Sequence, residues 1–375
     1  MSLTAYSHTF KKELQVSQLK ELFDKAVPAI PCDFKDFVRA DVECSSCLAK
    51  GASVVREGKN AKGDIVKQEH FAFRDASGGD PHQKYCDHYT GTDKIKSPDN
   101  DALIDFRTSN SQVTETIKKM VCAGIENKVF TQQDIRNMRE WYIDIRTNNT
   151  IKIDVSPHLV NMAHMAFYLD YKTPKVNEYI DDKYRDTRNG FNLDHEVYKS
   201  LVFKHPQYRL TNLTTQDKRW LYDARLADVR KKAALLIKTN NGELLFERKF
   251  LDDKAPLVFR LANEIRILKV RLSESIPSSR ARFNNPLMAL ASLLLFVSDW
   301  DYDLASSKLK QIVHIKQVID LTAGNVIGLN PFINHSAWSI VQILNRIKNE
   351  TNDQTDYQLE FDQEKERLKK VFAVL

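Results

Sequence analysis

Long apolar runs are missing from this 375-residue chain. The longest, residues 287–297, is interrupted by Ser292, and its roughly eleven residues fall well short of the ~20 that span a bilayer. It reads as a buried helix rather than a membrane segment. The opening MSLTAYSHTFKKELQ has no apolar core of the kind a secretory leader requires, so a cytoplasmic protein without a membrane partner is expected. Glycine and proline are scarce at 11 each, and 42% hydrophobic with 28% charged residues is ordinary globular composition, which excludes large-scale disorder. No internal repeat and no low-complexity tract is present. Recognisable catalytic loops are missing too: no G-x-x-x-x-G-K-[ST], no G-x-G-x-x-G after a strand, and no G-x-S-x-G. A nucleotide cofactor motif is therefore absent. Cysteine is sparse, and its odd count of five with two in a Cys-x-x-Cys argues for a reducing compartment and metal ligation over a disulfide framework.

Charge is unevenly placed. The net charge is +6 overall, yet residues 204–282 alone carry 18 Lys/Arg against 9 Asp/Glu. Residues 1–97 carry 15 against 14 and residues 98–200 carry 14 against 16. One segment of the chain thus holds the basic excess, as expected of an electrostatic footprint for phosphate.

The pattern predicts a mainly α protein with a small α+β zinc-binding module near the N-terminus and at least one β-hairpin in the helical body. Four regions follow: 1–36, an amphipathic helix over 11–26 and a linker; 37–97, the metal module; 98–200, a helical middle; and 201–375, a basic and then helical C-terminal region. Inside the module, 52–56 and 65–73 read as strands and 58–63 as a turn. KIKSPDN at 94–100 and the polar stretch 172–192 are the candidate boundaries. Helices are expected over 114–125, closing at Gly124; from the Thr131-x-x-Asp134 cap to Arg146; from Pro157; and from Thr214 or Thr215 to about Lys238. Asn241-Gly242 predicts a hairpin between 235–237 and 244–246, and residues 265–272 fit helix or strand equally. Further helices are expected over 286–297, 304–321, 332–348 and 357–372.

The metal signal is the densest in the chain. Cys44-x-x-Cys47 puts two sulfurs on one side of a knuckle, where both can face a single ion. Cys86 is the obvious third ligand, and the fourth is left between His70 and His82, with His88 behind them because it lies only two residues from Cys86. Four closed ligands imply a structural zinc. The same stretch, Cys44-Ser-Ser-Cys47, Val54-Val-Arg56, Gly58 and His70-Phe-Ala-Phe73, resembles the N-terminal zinc-binding module of the competence protein CoiA-like family, with Phe73 where that family has a second histidine. The resemblance covers about fifty of the 375 residues. It implies a role in DNA processing and a nuclease domain of the PD-(D/E)xK type. The only matching Glu-x-Lys on an expected strand is Glu247-Arg-Lys249, and no strand aspartate precedes it.

Lys218, Arg219, Arg225, Arg230, Lys231 and Lys232, interleaved with Trp220 and Tyr222, suit a phosphate backbone with base stacking, although Asp217, Asp223 and Asp228 dilute them. Arg260, Arg266, Lys269, Arg271, Arg280 and Arg282 could extend the surface. His158 and His164 stand six apart, not on one helix face. Asp194-His195-Glu196 could form a metal or acid/base cluster but reads rather as a helix cap. Asp299 to Asp303 is acidic enough to attract a cation but lacks the glycine and terminal glutamate of a calcium loop and reads as helix-capping acids. His314 reads as a core histidine. The expectation is a zinc-containing nucleic-acid-binding protein of bacterial or phage DNA processing or antiviral defence. A metal-dependent nuclease and a scaffold for a protein partner are its rivals.

Overall fold

The computed structural model describes residues 2–26, 29–45, 47–60, 65–83, 86, 88–91, 103–104, 111–167, 169, 192–315 and 328–373. The chain is mainly α-helical with small antiparallel sheets. It divides into two compact units, each discontinuous in sequence: Met1–Asn149 with Phe250–Ile333, and Thr150–Lys249 with Asn334–Leu375. These cuts do not coincide with the boundaries read from composition. The expected connector at 94–100 lies outside the described residues, as do residues 172–191 of the second.

The first unit opens on a hairpin, not a helix. Thr4–Ser7 pairs antiparallel with Lys12–Gln15, and Val42–Glu43 adds to its other edge. Leu14, expected on a helix, is a buried strand residue opposite Ala5, and the helix runs only over Val16–Ala26. The pairing of Lys12–Gln15 with a neighbouring strand overrides their helical spacing. Ala52–Val55 pairs with His70–Phe73, and Gly58–Lys59, expected as a turn, pairs with Ile65–Lys67. Leu19, Phe23, Phe37, Val38, Phe71 and Phe73 form one apolar cluster with Cys44, Cys47 and Cys86. Each fully buried side chain of that size contributes roughly 1.5–3 kcal/mol.

The hairpin is tied to the Gln132–Asn148 helix of the same unit by buried polar contacts. Arg139 Nη1 meets Glu13 Oε2 at 2.7 Å, Gln132 Oε1 accepts from Glu13 N at 2.7 Å, and Arg136 pairs with Glu43. That helix starts as the sequence predicts: Thr131 and Asp134 form a reciprocal capping box. The Gln112–Glu126 helix, by contrast, continues past Gly124, where the missing side chain leaves room for the Phe130 ring. Asn285–Phe296 is the expected buried helix, with every residue from Leu287 to Leu295 inside. Asp301 caps the Tyr302–Val313 helix, and His314, expected in the core, is exposed at its end. Residues 316–321 of the longer helix expected there lie outside the described residues.

The second unit packs the helices Pro157–Ala166, Leu193–Lys204, Ala227–Asn240, His335–Glu350 and Tyr357–Ala373. Two sequence expectations change here. The helix expected from Thr214 to Lys238 is broken into Thr215–Leu221, a 3-10 turn at Tyr222–Arg225, an extended Leu226, and Ala227–Asn240. The Asn241-Gly242 turn forms with Gly242 at φ +83°, but residues 235–237 stay helical. Leu244–Phe246 pairs instead with Thr150–Lys152, about ninety residues away in the chain. Asn345 secures that sheet end, accepting from Asp154 N at 2.9 Å and donating to Lys152 O at 3.0 Å. Residues 265–272 are helical, split between Ala255–Leu268 and Val270–Ser275.

Candidate metal centre

Cys44 follows directly on Glu43, whose carboxylate is held by Arg136 and, at 2.8 Å, by His8 Nε2. The strand end is therefore fixed before the knuckle begins. Cys44 N donates to Ala49 O at 2.8 Å and Leu48 N to Cys44 O at 3.0 Å, folding the chain around the two sulfurs. Closing this turn puts Leu48 at φ +64° and Gly51 at φ +83°. A side chain at Gly51 would collide with the Arg74 carbonyl, so this position requires glycine.

The other half of the site is a loop drawn shut by Asp80. Its carboxylate accepts from His82 N at 2.9 Å, Thr90 N at 2.7 Å and Thr90 Oγ1 at 2.6 Å. Burial would raise the Asp80 pKa, but these bonds win and hold it below the ordinary carboxylate value. Cys86 N donates to Gln83 O at 2.8 Å, completing the turn from His82 to Cys86.

Cys44, Cys47, His82 and Cys86 consequently converge, each buried, with ligand atoms all within 4.8 Å of one another. Cys44 Sγ lies 4.0 Å from Cys86 Sγ, and His82 Nδ1 lies 3.2 Å from Cys47 Sγ and 3.6 Å from Cys86 Sγ. Metal–sulfur bonds of about 2.3 Å and metal–nitrogen bonds of about 2.0 Å at tetrahedral angles place ligand atoms roughly 3.5–3.8 Å apart. The separations of 3.2, 3.6 and 4.0 Å lie around that figure, and the set could hold a metal ion. The thiols are strongly coupled. Hydrogen bonds with Cys44 and Cys86 push the Cys47 thiol far below its usual range, and hydrogen bonds with Cys44 and Cys47 push Cys86 far above it. Three thiolates this close cannot coexist in an apolar pocket without a cation between them. A metal ion bound there would let all three be thiolates at once.

Of the histidines weighed for the fourth place, the geometry selects His82. His70 sits buried on its strand with Nδ1 bonded to Gln68 O at 2.9 Å and lies outside the cluster. His88 packs its ring 5.8 Å from that of His82, and burial holds its pKa down to about 3. Phe73 stands edge-on to the His82 ring at 5.0 Å and fixes its tilt. Asp80 and Thr90 were not foreseen. The only trace of them in the sequence is an Asp two residues before the ligand histidine.

The structure gives the six basic residues unequal tasks. Arg219 and Lys231 are exposed, while Lys218 and Lys232 are half-buried. Arg225 lies 3.6 Å from the Tyr222 ring centre. Arg230 is turned inward, with Nη1 donating to Ala224 O at 2.8 Å and Arg225 O at 2.9 Å. Glu247 and Lys249 pair with each other at 2.6 Å, Arg248 between them is buried, and Asp223 and Asp228 lie on helical turns. Comparison with known protein families, curated proteins and solved structures returns no match.

Proposed function

We propose that the chain is a zinc-containing nucleic-acid-binding protein in which the metal is structural and the helical body carries the contacts. The buried Cys44, Cys47, His82, Cys86 tetrahedron carries the first half of the reading. Three thiolates and one imidazole are a donor set that suits zinc, and four protein ligands leave no open position for a substrate or an activated water. The ion would act as a staple, joining the knuckle after Glu43 to the Asp80–Thr90 loop. The nucleic-acid half rests on the excess of 18 basic over 9 acidic residues across 204–282, on exposed Arg219 and Lys231, and on the family resemblance of the module, which also points to DNA processing or defence.

Elemental analysis of the full chain tests the first half, with one zinc per chain expected. Chelation is expected to lower the thermal midpoint and to raise hydrogen exchange across residues 2–91. A metal-free preparation with unchanged stability would sink the reading. For the second half, affinity for an oligonucleotide should fall steeply with salt, and Lys231→Gln with Lys232→Gln should make that slope shallower by about one to two. Salt-independent binding, or none, would remove the nucleic acid as partner.

A further inference from the structure

In the first unit, the helices Gln132–Asn148 and Asn285–Phe296 and the turn that follows the second border a cavity of about 390 Å³. That volume falls within the ~300–1,000 Å³ of pockets for small organic ligands. Three aromatic side chains, Trp141, Phe296 and Trp300, line it. We propose that this cavity binds a quaternary ammonium group, a role that depends on neither the zinc nor the nucleic-acid reading.

The backbone places the rings. Trp141 stands two turns after Asp134 on one helix, so both lie on the same face. Beyond Phe296 the chain leaves its helix through Asp299 at φ +49° and Trp300 at φ +63°, a left-handed region that bulky residues rarely adopt. Trp300 N donates to Leu295 O at 2.8 Å, which folds the turn back onto the helix end. Trp141 is thereby set between the other two, its ring centre 5.6 Å from that of Phe296 and 5.4 Å from that of Trp300. The tilts of 45° and 47° make a bent row instead of a flat stack. None of the three rings is fully buried, and the face of an aromatic ring attracts a cation.

The charges of the wall agree. Asp301 spends Oδ1 on Leu304 N at 2.8 Å as a helix cap. Asp299, two residues earlier, caps nothing: its exposed carboxylate makes no hydrogen bond or ion pair among the described residues. Asp134 Oδ2 is committed to Thr131, so that group lends charge rather than a bond. Lys308, the cation of the lining, gives its Nζ to Val297 O. Two carboxylates against one ammonium leave the wall net negative. Lys254, outside the lining and paired with Asp253 at 2.9 Å, stands 5.5 Å from the Trp300 ring centre, so this ring already draws an ammonium in the folded chain. The kind of cation follows from the shortage of acceptors. One free carboxylate cannot satisfy the three N–H groups of a primary ammonium, nor supply the several oxygens of a hard metal ion. A quaternary ammonium has no N–H to satisfy and exchanges water for aromatic faces. Its source could be a small free ligand or a trimethylated lysine of a protein tail.

The test uses the full chain with labelled tryptophans and choline as the probe, at matched ionic strength. Saturable shifts of the Trp141 and Trp300 indole signals are expected, with those of buried Trp220 and Trp338 unmoved. The neutral isostere 3,3-dimethylbutanol keeps the shape and loses the charge, so it should bind roughly fivefold or more weakly. Asp299→Lys, at a side chain with no bond to lose, should weaken choline binding about threefold or more. Trp300→Leu should weaken it further, and Trp300→Phe, which keeps a ring, by less. Where Trp300→Leu fails to fold, the isostere and Asp299→Lys decide. A trimethyllysine amide supports the site whether it binds more or less tightly than choline; tighter binding names a protein tail as the source, weaker binding a free ligand. Indole signals that stay put up to tens of millimolar choline overturn the site. So does equal binding of the neutral isostere, or choline binding that Asp299→Lys leaves unaltered.

Discussion

Cys44, Cys47 and Cys86 belong at once to the proposed metal site and to the apolar core of the N-terminal module, so a substitution at any of them would act twice. Removing one ligand forfeits much of a binding free energy that reaches ~10–16 kcal/mol for structural zinc in small peptides, and leaves the remaining thiols crowded and unpaired. Cys47→Ser is therefore expected to abolish zinc binding and to lower stability by several kcal/mol, up to the limit set by unfolding of the module. His70→Ala removes one part-buried hydrogen bond to Gln68 O and should cost about 1–2 kcal/mol with zinc content unchanged. Zinc stoichiometry and urea unfolding on the two variants check this; loss of zinc from His70→Ala would contradict the assignment of His82. The difference between these histidines was not legible in the sequence. Cys44-x-x-Cys47 constrains its own geometry through a two-residue gap. The choice between His70 and His82 depends on the Asp80–Thr90 closure and on Phe73, which are contacts across loops rather than spacings along the chain.

Local chemistry written within a few residues was readable: the Thr131–Asp134 box starts its helix, and the apolar run at 287–297, interrupted only by Ser292, is the buried helix it resembles. Where a distant residue decides an element, spacing misleads. Residues from Thr214 or Thr215 to about Lys238 read as one capped helix, yet the chain breaks at Leu226, where Arg230 reaches back to the carbonyls of Ala224 and Arg225. Other cations do the same at helix ends. Arg209 donates to Val202 O at 3.2 Å, Lys269 to Val313 O at 2.8 Å, and Lys308 to Val297 O. Part of the basic excess is thus spent on the negative ends of helices rather than offered to a partner. Arg230→Met should accordingly lower stability by about 1.5–3 kcal/mol, whereas exposed Lys231→Met should stay within about 0.5 kcal/mol. Chemical denaturation of the two variants separates them; equal effects would show that Arg230 caps nothing.

At the scale of the whole chain, the two units were beyond reach of sequence reading, because each is assembled from segments that leave and return. The pairing of Leu244–Phe246 with Thr150–Lys152 closes the second unit across a separation that no local pattern encodes. In that unit, acid sensitivity should centre on Asp353. Its Oδ2 accepts from Tyr208 at 2.9 Å and Tyr357 at 2.5 Å, and its Oδ1 from Thr355 N at 3.0 Å. Burial pushes the carboxyl up, but the bonds from Thr355, Tyr357 and Tyr208 outweigh it and hold the group well below its usual value of 3.8. A depressed folded value means the unfolded chain takes up the proton first. The stabilisation is therefore complete above pH ~4 and is lost as the pH falls through the ordinary carboxylate range toward the folded value. The tyrosines shift the opposite way: burial and the neighbouring carboxylate raise both, so their share persists below about pH 10 and fades above it. Asp353→Asn keeps the shape but weakens the charge-assisted bonds. It should cost about 1–3 kcal/mol at neutral pH and flatten the loss of stability between pH 5 and 2.5. Hydrogen exchange along the Tyr357–Ala373 helix, followed across that range in both proteins, reads the effect directly. If both lose protection in parallel, the acid response of this unit lies elsewhere. If the variant alone stays level, the carboxylate between two tyrosines is the group through which this unit responds to acid.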